Sequence, residues 1–496
     1  MTLREVNGVT NGSPADVDQD KHLHLDAVIV GAGFSGICSL HHLRKLGLKA
    51  KIFEQGNEIG GVWHWNRYPG ARVDSESPLY TFHIPEPWNK FKYKERFPDA
   101  KELRRHLNYA SDTLELKKDI YFHSKVIHAQ FDKATGRWTV KTNAGHTATA
   151  KYLAMCVGLL HIPGTGDFKG AMYHSPNWPE GGSVKGKKEV AKEADHLDVY
   201  IRKISFCLPM HQRENREDEH LQHKAYYHSC FAVSKESRVG FPVQGPNCGV
   251  FDVTPKEPNR LAYDFWAKKT RARMTDSKKW DFMAPLEPPY YYGTSRSPLE
   301  GDYYESLDRP NVDIIDVRNQ GWRFNETGIT TDDGISREYD VVILAMGFDS
   351  FTGSFTHIGL KNVDPVDMKE LWEDGIHTYL GMFTHGFPNM FMICAPQAPT
   401  AFTNNPTLME CQWDLLEDVV RKMQDDKFKY IEPTLEAEED WRHKVTSATD
   451  GNPVPVENMT YMNGIDVFVV EAAEKLKDLR DIVQERQLGG NLVPPA

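Results

Sequence analysis

The sequence predicts an α/β fold built around a doubly wound parallel sheet, and three observations near the N-terminus predict it. Ala27–Val30 is a short apolar run of the kind that forms a buried strand. Gly31, Gly33 and Gly36 follow directly, in the spacing GxGxxG. Residues 37–46 then have the amphipathic pattern of a helix and are closed by another glycine. Strand, tight turn and helix in this order form the first unit of a doubly wound sheet.

Each glycine of this turn has a separate physical task. Gly31 allows the tight turn, Gly33 lets the backbone approach a pyrophosphate, and Gly36 lets the helix pack closely on the strand. A second strand, Ala50–Phe53, ends in Glu54, at about the 20-residue distance at which a carboxylate accepts a ribose hydroxyl. A purely structural glycine turn is the alternative. The strand, the helix and the acid together favour a dinucleotide-binding site.

Composition excludes several classes of function. The chain has 496 residues and 40% hydrophobic content, which is enough for a large core and more than one domain. A net charge of −11 argues against a nucleic-acid partner, since binding phosphates requires clustered Lys and Arg. The apolar runs are far shorter than the roughly 18 residues that cross a membrane, and no secretory signal pattern opens the chain. We therefore expect a cytoplasmic protein without a membrane or nucleic-acid partner.

The N-terminal end of the chain is expected to be mobile, and the C-terminal end is expected to contain a helix. Residues 1–24 are polar and have almost no apolar periodicity, which predicts a mobile tail and a fold that starts near Leu25. Residues 467–485 have helical apolar spacing, which predicts a helix that covers the core. A tail rich in Gly and Pro follows this helix.

Two longer strings carry a family resemblance. The first, IGGVWHWNRYPGARVDSESPLY, begins at Ile59. The second, FKGAMYHSPNWPE, begins at Phe168 and has the pattern FxGxxxHxxxWP. Local physical chemistry predicts from the first string only a glycine turn followed by an aromatic-rich loop. Both strings resemble those of the Baeyer–Villiger monooxygenases, and the resemblance extends from about Leu25 to Met423.

Three further segments resemble the family at the expected places. YLAMCVG, which ends at Gly158, resembles the first crossing out of the flavin domain, and YDVVILAMGFDSFTG, which includes Gly347, resembles the return. FPNMFMICAPQAPTAFTNNPT resembles the segment that lies against the isoalloxazine ring. Ala395 stands in this segment where the family commonly has Gly, so a tighter backbone approach to the ring is expected.

The resemblance implies a reaction and its cofactors. Family members use FAD and NADPH to insert one oxygen atom of O2 beside the carbonyl of a ketone. The reacting oxygen adduct is an anion, so a fixed cation must stand beside it and water must be excluded. The family's arginine falls on Arg296, in YYYGTSRSPLEGDYY, and its carboxylate partner falls on Asp74. A surface salt bridge is the alternative for an isolated arginine, but the surrounding match favours the catalytic role.

The resemblance also assigns cofactor-binding positions. The residues expected to hold FAD are Gly31, Gly33, Phe34, Gly36, Glu54, Val62, Trp63, Asp74, Tyr80 and Val126. His174 and Trp178 belong to the family's linker between its two nucleotide-binding domains, which implies a conformational role. Simple packing within a Pro-rich linker is the alternative interpretation for this pair.

A group of possible metal ligands stands later in the chain, at His220, His223, His228 and Cys230. No matching second pair of ligands is nearby, and the segment around the group is strongly charged. A solvated helical insertion is therefore the better interpretation, and no metal is predicted.

The family's second nucleotide-binding loop is missing from this sequence. In the family, a Lys-rich turn leads into a buried strand, a second GxGxxG and a helix that hold NADPH. Here SVKGKK ends at Lys188 and continues directly into residues 189–194, which resemble the end of that helix. On this alignment roughly fifteen residues are absent, comprising one strand and the pyrophosphate loop. Arg202 and Lys203 remain where the family binds the 2′-phosphate of NADPH.

Loss of an inner strand is costly, because it leaves unpaired backbone groups on both neighbouring strands. Three accounts stay open: a reading frame that skips a short coding segment, a divergent monooxygenase reduced by another route, or an FAD-binding protein that cannot use NADPH and has a non-oxygenating or partner role. The retained Asp74 and Arg296 favour a monooxygenase. They also argue, with the GGxW string, against a flavin monooxygenase that oxygenates nitrogen or sulfur.

These observations predict a discontinuous FAD-binding domain made of residues 25–160 and 336–440. A truncated Rossmann-type NADPH domain, residues 161–335, is expected as an insertion, with a C-terminal covering segment at residues 441–496. The active site is expected in the cleft between the two domains. The predicted reaction is Baeyer–Villiger oxygenation of a bulky secondary-metabolite ketone, a polyketide or terpenoid, to an ester or lactone.

Overall fold

The structure is a computed structural model of the full chain. It describes residues 22–77, 79–158, 168–175, 178, 191, 194–216, 256–292, 297–345, 347, 352–399, 404–447, 465–477, 479 and 482–486. Two predicted features, Arg296 and the histidine-rich group at residues 220–230, lie outside these described residues.

A five-stranded parallel sheet forms the centre of the first nucleotide-binding unit. Its strands in spatial order are β19 (Met390–Met392), β8 (Tyr152–Met155), β2 (Ala27–Val30), β3 (Ala50–Phe53) and β4 (Ile120–Tyr121). Every residue of β2 is buried, as expected of an apolar strand that is covered on both faces. β19 comes from far along the chain, so this unit is discontinuous. The predicted α/β, doubly wound class is confirmed.

A second sheet covers one face of the first. Its strands in spatial order are β1 (His22–His24), β7 (Thr147–Ala150), β6 (Arg137–Thr142), β5 (Val126–Asp132) and β18 (Leu360–Lys361). Trp138 of this sheet and Val28 and Leu153 of the first belong to one buried apolar cluster. β1 corrects the prediction of a mobile tail at residues 1–24, because residues 22–24 pair in parallel with β7. This short polar strand has no local sequence signal, and its backbone partners are distant in the chain.

Helices cover the other face of the first sheet. α1 (Phe34–Lys45) packs against α10 (Asn405–Asp425), and the Trp413 indole N–H donates to the Ser39 hydroxyl at 2.7 Å. This half also contains α2 (Val62–Trp65), α3 (Pro85–Trp88), α4 (Ala100–Thr113), a 3₁₀ turn (Lys117–Asp119), α8 (Gly353–Thr356) and α9 (Met368–Leu371).

The residues that the structure describes in the inserted region form four small sheets. Two are parallel pairs, β9 (Ala171–His174) with β17 (Val341–Leu344) and β10 (Leu197–Ile201) with β13 (Val312–Asp316). A third parallel pair is β11 (Leu208–Pro209) with β12 (Leu299–Glu300), and the fourth sheet is antiparallel, with β14 (Trp322–Phe324), β15 (Gly328–Thr331) and β16 (Ser336–Glu338). The described helices of this region are α5 (Lys256–Arg271), α6 (Ser277–Met283) and α7 (Tyr303–Leu307).

The C-terminal segment differs from the prediction of one covering helix over residues 467–485. α12 (Ile465–Lys477) packs on α10, but the helix ends there and Leu479 has a left-handed φ of 51°. β21 (Ile482–Arg486) then pairs antiparallel with β20 (Phe428–Pro433). The prediction was wrong here because the apolar residues of this strand also fit helical spacing, and only the distant partner strand decides between the two.

Two of the expected domain limits, residues 336 and 440, fall inside a strand and a helix of the structure. Residue 336 opens β16, which pairs within the antiparallel sheet of the inserted region, and residue 440 lies inside α11 (Leu435–Ser447). The limits themselves therefore remain a proposal. Among the described helices, none is long and apolar enough to cross a bilayer.

Candidate active site

The glycine turn between β2 and α1 is packed too tightly for side chains. Gly31 has a φ of +100° and its N–H donates to the Phe53 carbonyl at 2.9 Å. A Cβ on Gly31 would stand 2.6 Å from the Cys156 carbonyl oxygen, and a Cβ on Gly36 would stand 1.8 Å from the Gly31 carbonyl oxygen. The ends of β2 and β8 and the start of α1 therefore meet at distances that only glycine permits. The N-terminus of α1 points its free N–H groups out of this turn.

The second glycine string lies directly on the first. A Cβ on Gly33 would stand 3.3 Å from the Gly61 Cα, and a Cβ on Gly61 would stand 2.7 Å from the Gly33 Cα. Gly61 also has a φ of +53°, which disfavours other residues. The GxGxxG and GGxW strings, separate in sequence, thus form one backbone cradle without side chains, which fits the pyrophosphate of a dinucleotide.

Glu54 stands beside this cradle at the end of β3. One carboxylate oxygen accepts from the Ala32 N–H at 2.7 Å and the other from the Gly56 N–H at 2.6 Å. Burial raises the pKa of Glu54, although these backbone hydrogen bonds oppose the rise. A carboxylate has about four acceptor sites, so Glu54 retains capacity for a ribose hydroxyl.

Predicted flavin-side aromatic residues come together next to the cradle. The Trp63 indole N–H donates to the Tyr80 hydroxyl at 3.2 Å, and the Tyr80 ring meets the Phe34 ring edge-on at 5.3 Å. Val62 opens α2 beside them. Val126 is the first residue of β5 and is buried. Two positions earlier in the chain, the Ser124 N–H donates to the Glu54 carbonyl at 2.7 Å.

Asp74 is half-buried on a loop that is held on both sides. Val73 donates its N–H to the Pro98 carbonyl at 3.2 Å, and Ser77 donates to the Arg96 carbonyl at 2.7 Å. The backbone around Asp74 is therefore fixed. Because Arg296 lies outside the described residues, its pairing with Asp74 stays a prediction.

The segment expected against the isoalloxazine ring leaves β19 in strained backbone. Cys394 has a φ of 54° and Gln397 a φ of 65°, both left-handed. The Gln412 side chain accepts from the Cys394 N–H at 2.9 Å and helps to hold this conformation. Burial raises the pKa of the Cys394 thiol to about 12, so it is not a thiolate at neutral pH. Ala395 is buried, consistent with a close backbone approach.

The residues linked to NADPH occupy two places. His174 ends β9 and is buried, and Trp178 is buried with its ring 5.0 Å from that of Tyr173. Arg202 and Lys203 follow β10 directly and are both exposed. Their position, after the carboxyl end of a parallel strand, suits a ribose 2′-phosphate.

The described residues provide a more complete binding site for FAD than for NADPH. The first unit has a complete glycine cradle, whereas β10 has a single strand neighbour, β13, in the described part of the chain. A side-chain hydrogen bond connects β10 to the link between β16 and β17 instead: the Tyr200 hydroxyl lies 2.8 Å from the Tyr339 hydroxyl. Arg202 and Lys203 are the side chains predicted to bind the 2′-phosphate of NADPH, and no described residue supplies a second pyrophosphate cradle. The truncation of this unit stays a prediction.

One polar group on this open surface was not singled out from the sequence. The His196 ring lies 3.0 Å from an Asp198 carboxylate oxygen and 3.5 Å from an Asp313 carboxylate oxygen. Asp198 also accepts a hydrogen bond from the Tyr339 hydroxyl. The three acidic and imidazole groups form a surface network on β10 and β13, and we assign no metal to it.

Comparisons with known proteins agree with this geometry. A family model described as an NAD(P)-binding Rossmann-like domain matches residues 29–91, which include the cradle. The FAD-binding monooxygenase acrE of Aspergillus aculeatus is 37% identical, with 90% of this chain and 84% of the relative covered. Cyclopentanone 1,2-monooxygenase of a Comamonas species is 34% identical, and the match covers 91% of this chain and 94% of that relative.

A solved structure extends the similarity to the whole architecture. Oxidized steroid monooxygenase bound to NADP superposes with a TM-score of 0.86 at 27% identity, with 94% of this chain and 100% of that chain covered. The alignment with the Aspergillus relative is 497 positions long, but only 90% of the 496 residues of this chain take part in it. Some aligned positions are therefore gaps in this chain. That relative therefore carries residues that this chain lacks.

Proposed function

The chain belongs to the Baeyer–Villiger monooxygenase family of FAD-binding enzymes, and we propose that its substrate is a bulky ketone of the polyketide or terpenoid type. The product is then an ester or lactone. Aromatic residues make up 11% of the sequence, which permits a wide apolar pocket. The class of ketone is otherwise inferred by analogy with the family.

The contact between Gly33 and Gly61 carries the assignment of the FAD site. The cradle that they form would hold the pyrophosphate at the N-terminus of α1, and Glu54 would accept a ribose hydroxyl. Trp63 and Tyr80 would shield the ring system from water. When bound and reduced, FAD supplies the activation of O2.

Asp74 and Arg296 are the proposed catalytic pair. The Arg296 guanidinium stays protonated at any working pH, and its planar fork can meet a carboxylate and a developing oxygen anion together. The backbone around Asp74 is held at both ends, so its carboxylate offers a fixed anchor for the guanidinium. A cation fixed in this way lowers the barrier because it needs no reorganisation when the charge develops.

Arg296→Ala tests this pair directly. FAD content, measured by absorbance per protein, should stay at the wild-type level. Ester formation from cyclopentanone, cyclohexanone and a steroid ketone should fall at least about a hundredfold. Arg323→Ala, on the exposed side of β14, is the matched control and should keep full activity. Ester formation that stays unchanged in the Arg296 variant would remove the catalytic pair from the proposal.

A second candidate function is favoured by the strand arrangement around β10. An FAD-binding protein that cannot be reduced by NADPH, with a non-oxygenating or partner role, would need no second pyrophosphate cradle. Among the described residues Arg202 and Lys203 are the pair predicted to contact the 2′-phosphate of NADPH, and β10 has one strand neighbour there. A nucleotide held through its 2′-phosphate alone would bind weakly and without a fixed hydride geometry.

Anaerobic addition of NADPH to the yellow protein separates the two candidates. Bleaching of the flavin would show that the inserted domain still delivers hydride, and would support the monooxygenase. Flavin that stays yellow with NADPH but bleaches with dithionite would support the second candidate. Dithionite thus controls for a flavin that is bound but unreactive.

A further inference from the structure

The helix α10 contacts two separate segments that lie beside the glycine cradle. Glu410 and Gln412 are in its second turn, and two positions along a helix rotate the side chain by about 200°. The two side chains therefore leave α10 in nearly opposite directions. Glu410 contacts residues 79–84, called the aromatic segment below, and Gln412 contacts residues 393–397, called the strained turn.

Glu410 holds the end of the aromatic segment by two hydrogen bonds. One carboxylate oxygen accepts from the His83 N–H at 2.7 Å, and the other lies 2.6 Å from the His83 ring nitrogen Nδ1. The side chains of His83 and Glu410 are only 12% and 16% exposed, so water competes little for these bonds. Because one carboxylate meets two nitrogens of the same residue, it fixes both the backbone and the ring of His83.

The aromatic segment in turn contacts both glycine strings of the cradle. Phe34 belongs to the GxGxxG string, and its ring lies 5.3 Å from the Tyr80 ring and 4.9 Å from the Phe82 ring. Trp63 belongs to the GGxW string, and its indole N–H donates to the Tyr80 hydroxyl at 3.2 Å. Contacts between buried rings stabilise beyond the area that they cover. The segment that Glu410 holds is therefore joined to both strings.

Gln412 holds the strained turn by its side-chain oxygen. This oxygen accepts from the Cys394 N–H at 2.9 Å, and Cys394 has a left-handed φ of 54°. Gln412 is fully buried, and its side-chain nitrogen has no hydrogen-bond partner among the described residues. A buried amide with an unused donor costs stability. The bond to the strained backbone is consequently the favourable contact that the described residues assign to this side chain.

The strained turn contacts the start of α1. The Ser35 hydroxyl lies 3.9 Å from the Cys394 thiol, and the thiol lies 3.6 Å from the carbonyl oxygen of Asn405, the first residue of α10. Ser35 follows Phe34 directly, so the two routes from α10 end at neighbouring residues of α1. These residues form the helix N-terminus at which the phosphate of a dinucleotide would lie.

We propose that Glu410 and Gln412 are positioning residues that retain FAD, because they hold the N-terminus of α1 through the aromatic segment and the strained turn. A cradle without side chains binds a pyrophosphate through backbone N–H groups, and such hydrogen bonds weaken steeply when they are misaligned. The two segments beside the cradle keep these N–H groups in place. The inference rests on the proposed FAD site and adds the residues that keep the cofactor there.

Release of FAD from the purified holoenzyme is the first test, measured as flavin that passes an ultrafiltration membrane after dilution. Glu410→Ala removes both bonds to His83 and should speed release roughly tenfold, as expected when a charge-assisted hydrogen bond is lost. Glu410→Gln keeps an acceptor for the His83 N–H and should stay within about threefold of the wild-type rate. Gln412→Met keeps the length of the side chain without its acceptor and should speed release about fivefold. Wild-type release rates in both Glu410→Ala and Gln412→Met would overturn the proposal.

Glu417→Ala is the matched control on the same helix. Glu417 lies seven positions after Glu410, on the same face of α10, and its carboxylate pairs with His42 at 2.5 Å and with Lys45 at 3.1 Å, near the far end of α1. The unfolding free energy should therefore fall, as in Glu410→Ala, while FAD release stays at the wild-type rate. Equally fast release in the control would mean that any loosening of α10 frees FAD, and would overturn the specific role of the two residues.

Hydrogen exchange on the same proteins tests the two links separately. Glu410→Ala should speed amide exchange several-fold in peptides that cover residues 79–84 and leave residues 393–397 unchanged, and Gln412→Met should do the reverse. Exchange that is unchanged at both segments, or raised at both by each variant, would overturn the proposal. Wild-type protein that binds no FAD would instead contradict the proposed function, and exchange would still decide whether α10 holds the two segments.

Discussion

The two nucleotide-binding units of this chain start from similar strands but end in different sheets. β2 lies between β3 and β8, and all four of its residues are buried. β10 is of similar length, but it pairs with β13 alone in the described part of the chain, and four of its five residues are only half-buried. Among the described residues β10 therefore has the exposure that is typical of an edge strand, whereas β2 has that of an inner strand.

The two units also differ in the kind of bond that joins their described strands. In the first unit backbone ladders join the strands, whereas in the second the side chains of Tyr200 and Asp198 join β10 to Tyr339, in the link between β16 and β17. Burial raises the pKa of Tyr339, and its hydrogen bond to Asp198 raises it further, so the phenol stays protonated and acts as a donor. Side-chain bonds of this kind hold two elements together but do not form a nucleotide cradle.

The largest expected effect breaks the complete unit. Gly36→Ala places a Cβ 1.8 Å from the Gly31 carbonyl oxygen, so α1 must move away from the turn. We expect a loss of more than about 3 kcal/mol in unfolding free energy and the loss of bound FAD. Gly301→Ala is the control, because a Cβ there meets nothing within 4 Å. Denaturant unfolding and flavin absorbance check both variants, and full FAD binding by the Gly36 variant would refute the tight packing.

The next prediction compares the two strands by one substitution. Val28→Ala in β2 removes two fully buried methyl groups and should cost about 2–3 kcal/mol in unfolding free energy. Val199→Ala in β10 should cost under about 1 kcal/mol, because the side chain is already half-exposed. Equal losses, measured by denaturant unfolding, would mean that β10 is covered as completely as β2.

The first unit could be predicted well from sequence because its signals are local. The strands Ala27–Val30 and Ala50–Phe53 have the predicted bounds, and the turn between β2 and α1 demands glycine at close range. Glu54 could be assigned by its distance from that turn alone. The family resemblance is confirmed by relatives that share over 30% of their residues with most of this chain.

Other features could not be predicted because distant partners decide them. His22–His24 becomes a strand only through pairing with β7, and Ile482–Arg486 only through pairing with β20. The role of Arg296 was inferred from the resemblance, and it remains a prediction.

A third prediction uses the acid sensitivity of the complete unit. His106 is fully buried among the rings of Phe34, Phe82 and Phe91, and it accepts from the Phe82 N–H at 3.4 Å. Burial lowers its pKa to about 3, helped by the nearby charge of Arg105. The unfolded chain therefore takes up a proton near pH 6.5 that the folded chain refuses, so stability falls as pH drops from about 6.5 towards 3.

Urea unfolding at pH 7.5 and pH 5.5 measures how much His106 contributes to the pH dependence of the unfolding free energy. His106 should account for a loss of about 1.4 kcal/mol between the two values. His106→Gln keeps an acceptor for Phe82 but cannot take up the proton, so this part of the pH dependence should vanish. The exposed His443→Gln is the control and should keep the wild-type profile. An undiminished loss in the His106 variant would assign the acid sensitivity elsewhere.

The smallest expected change in unfolding free energy comes from removing one tyrosine hydroxyl, and it is compared between β10 and β8. Tyr200→Phe removes the hydrogen bond to the Tyr339 hydroxyl and should cost about 1 kcal/mol in unfolding free energy. Tyr152→Phe in β8 should be neutral or slightly stabilising, because within the described part of the chain its buried hydroxyl has no hydrogen-bond partner. If the Tyr200 variant is as stable as the wild type, side chains do not replace the missing ladder, and backbone outside the described residues must support β10.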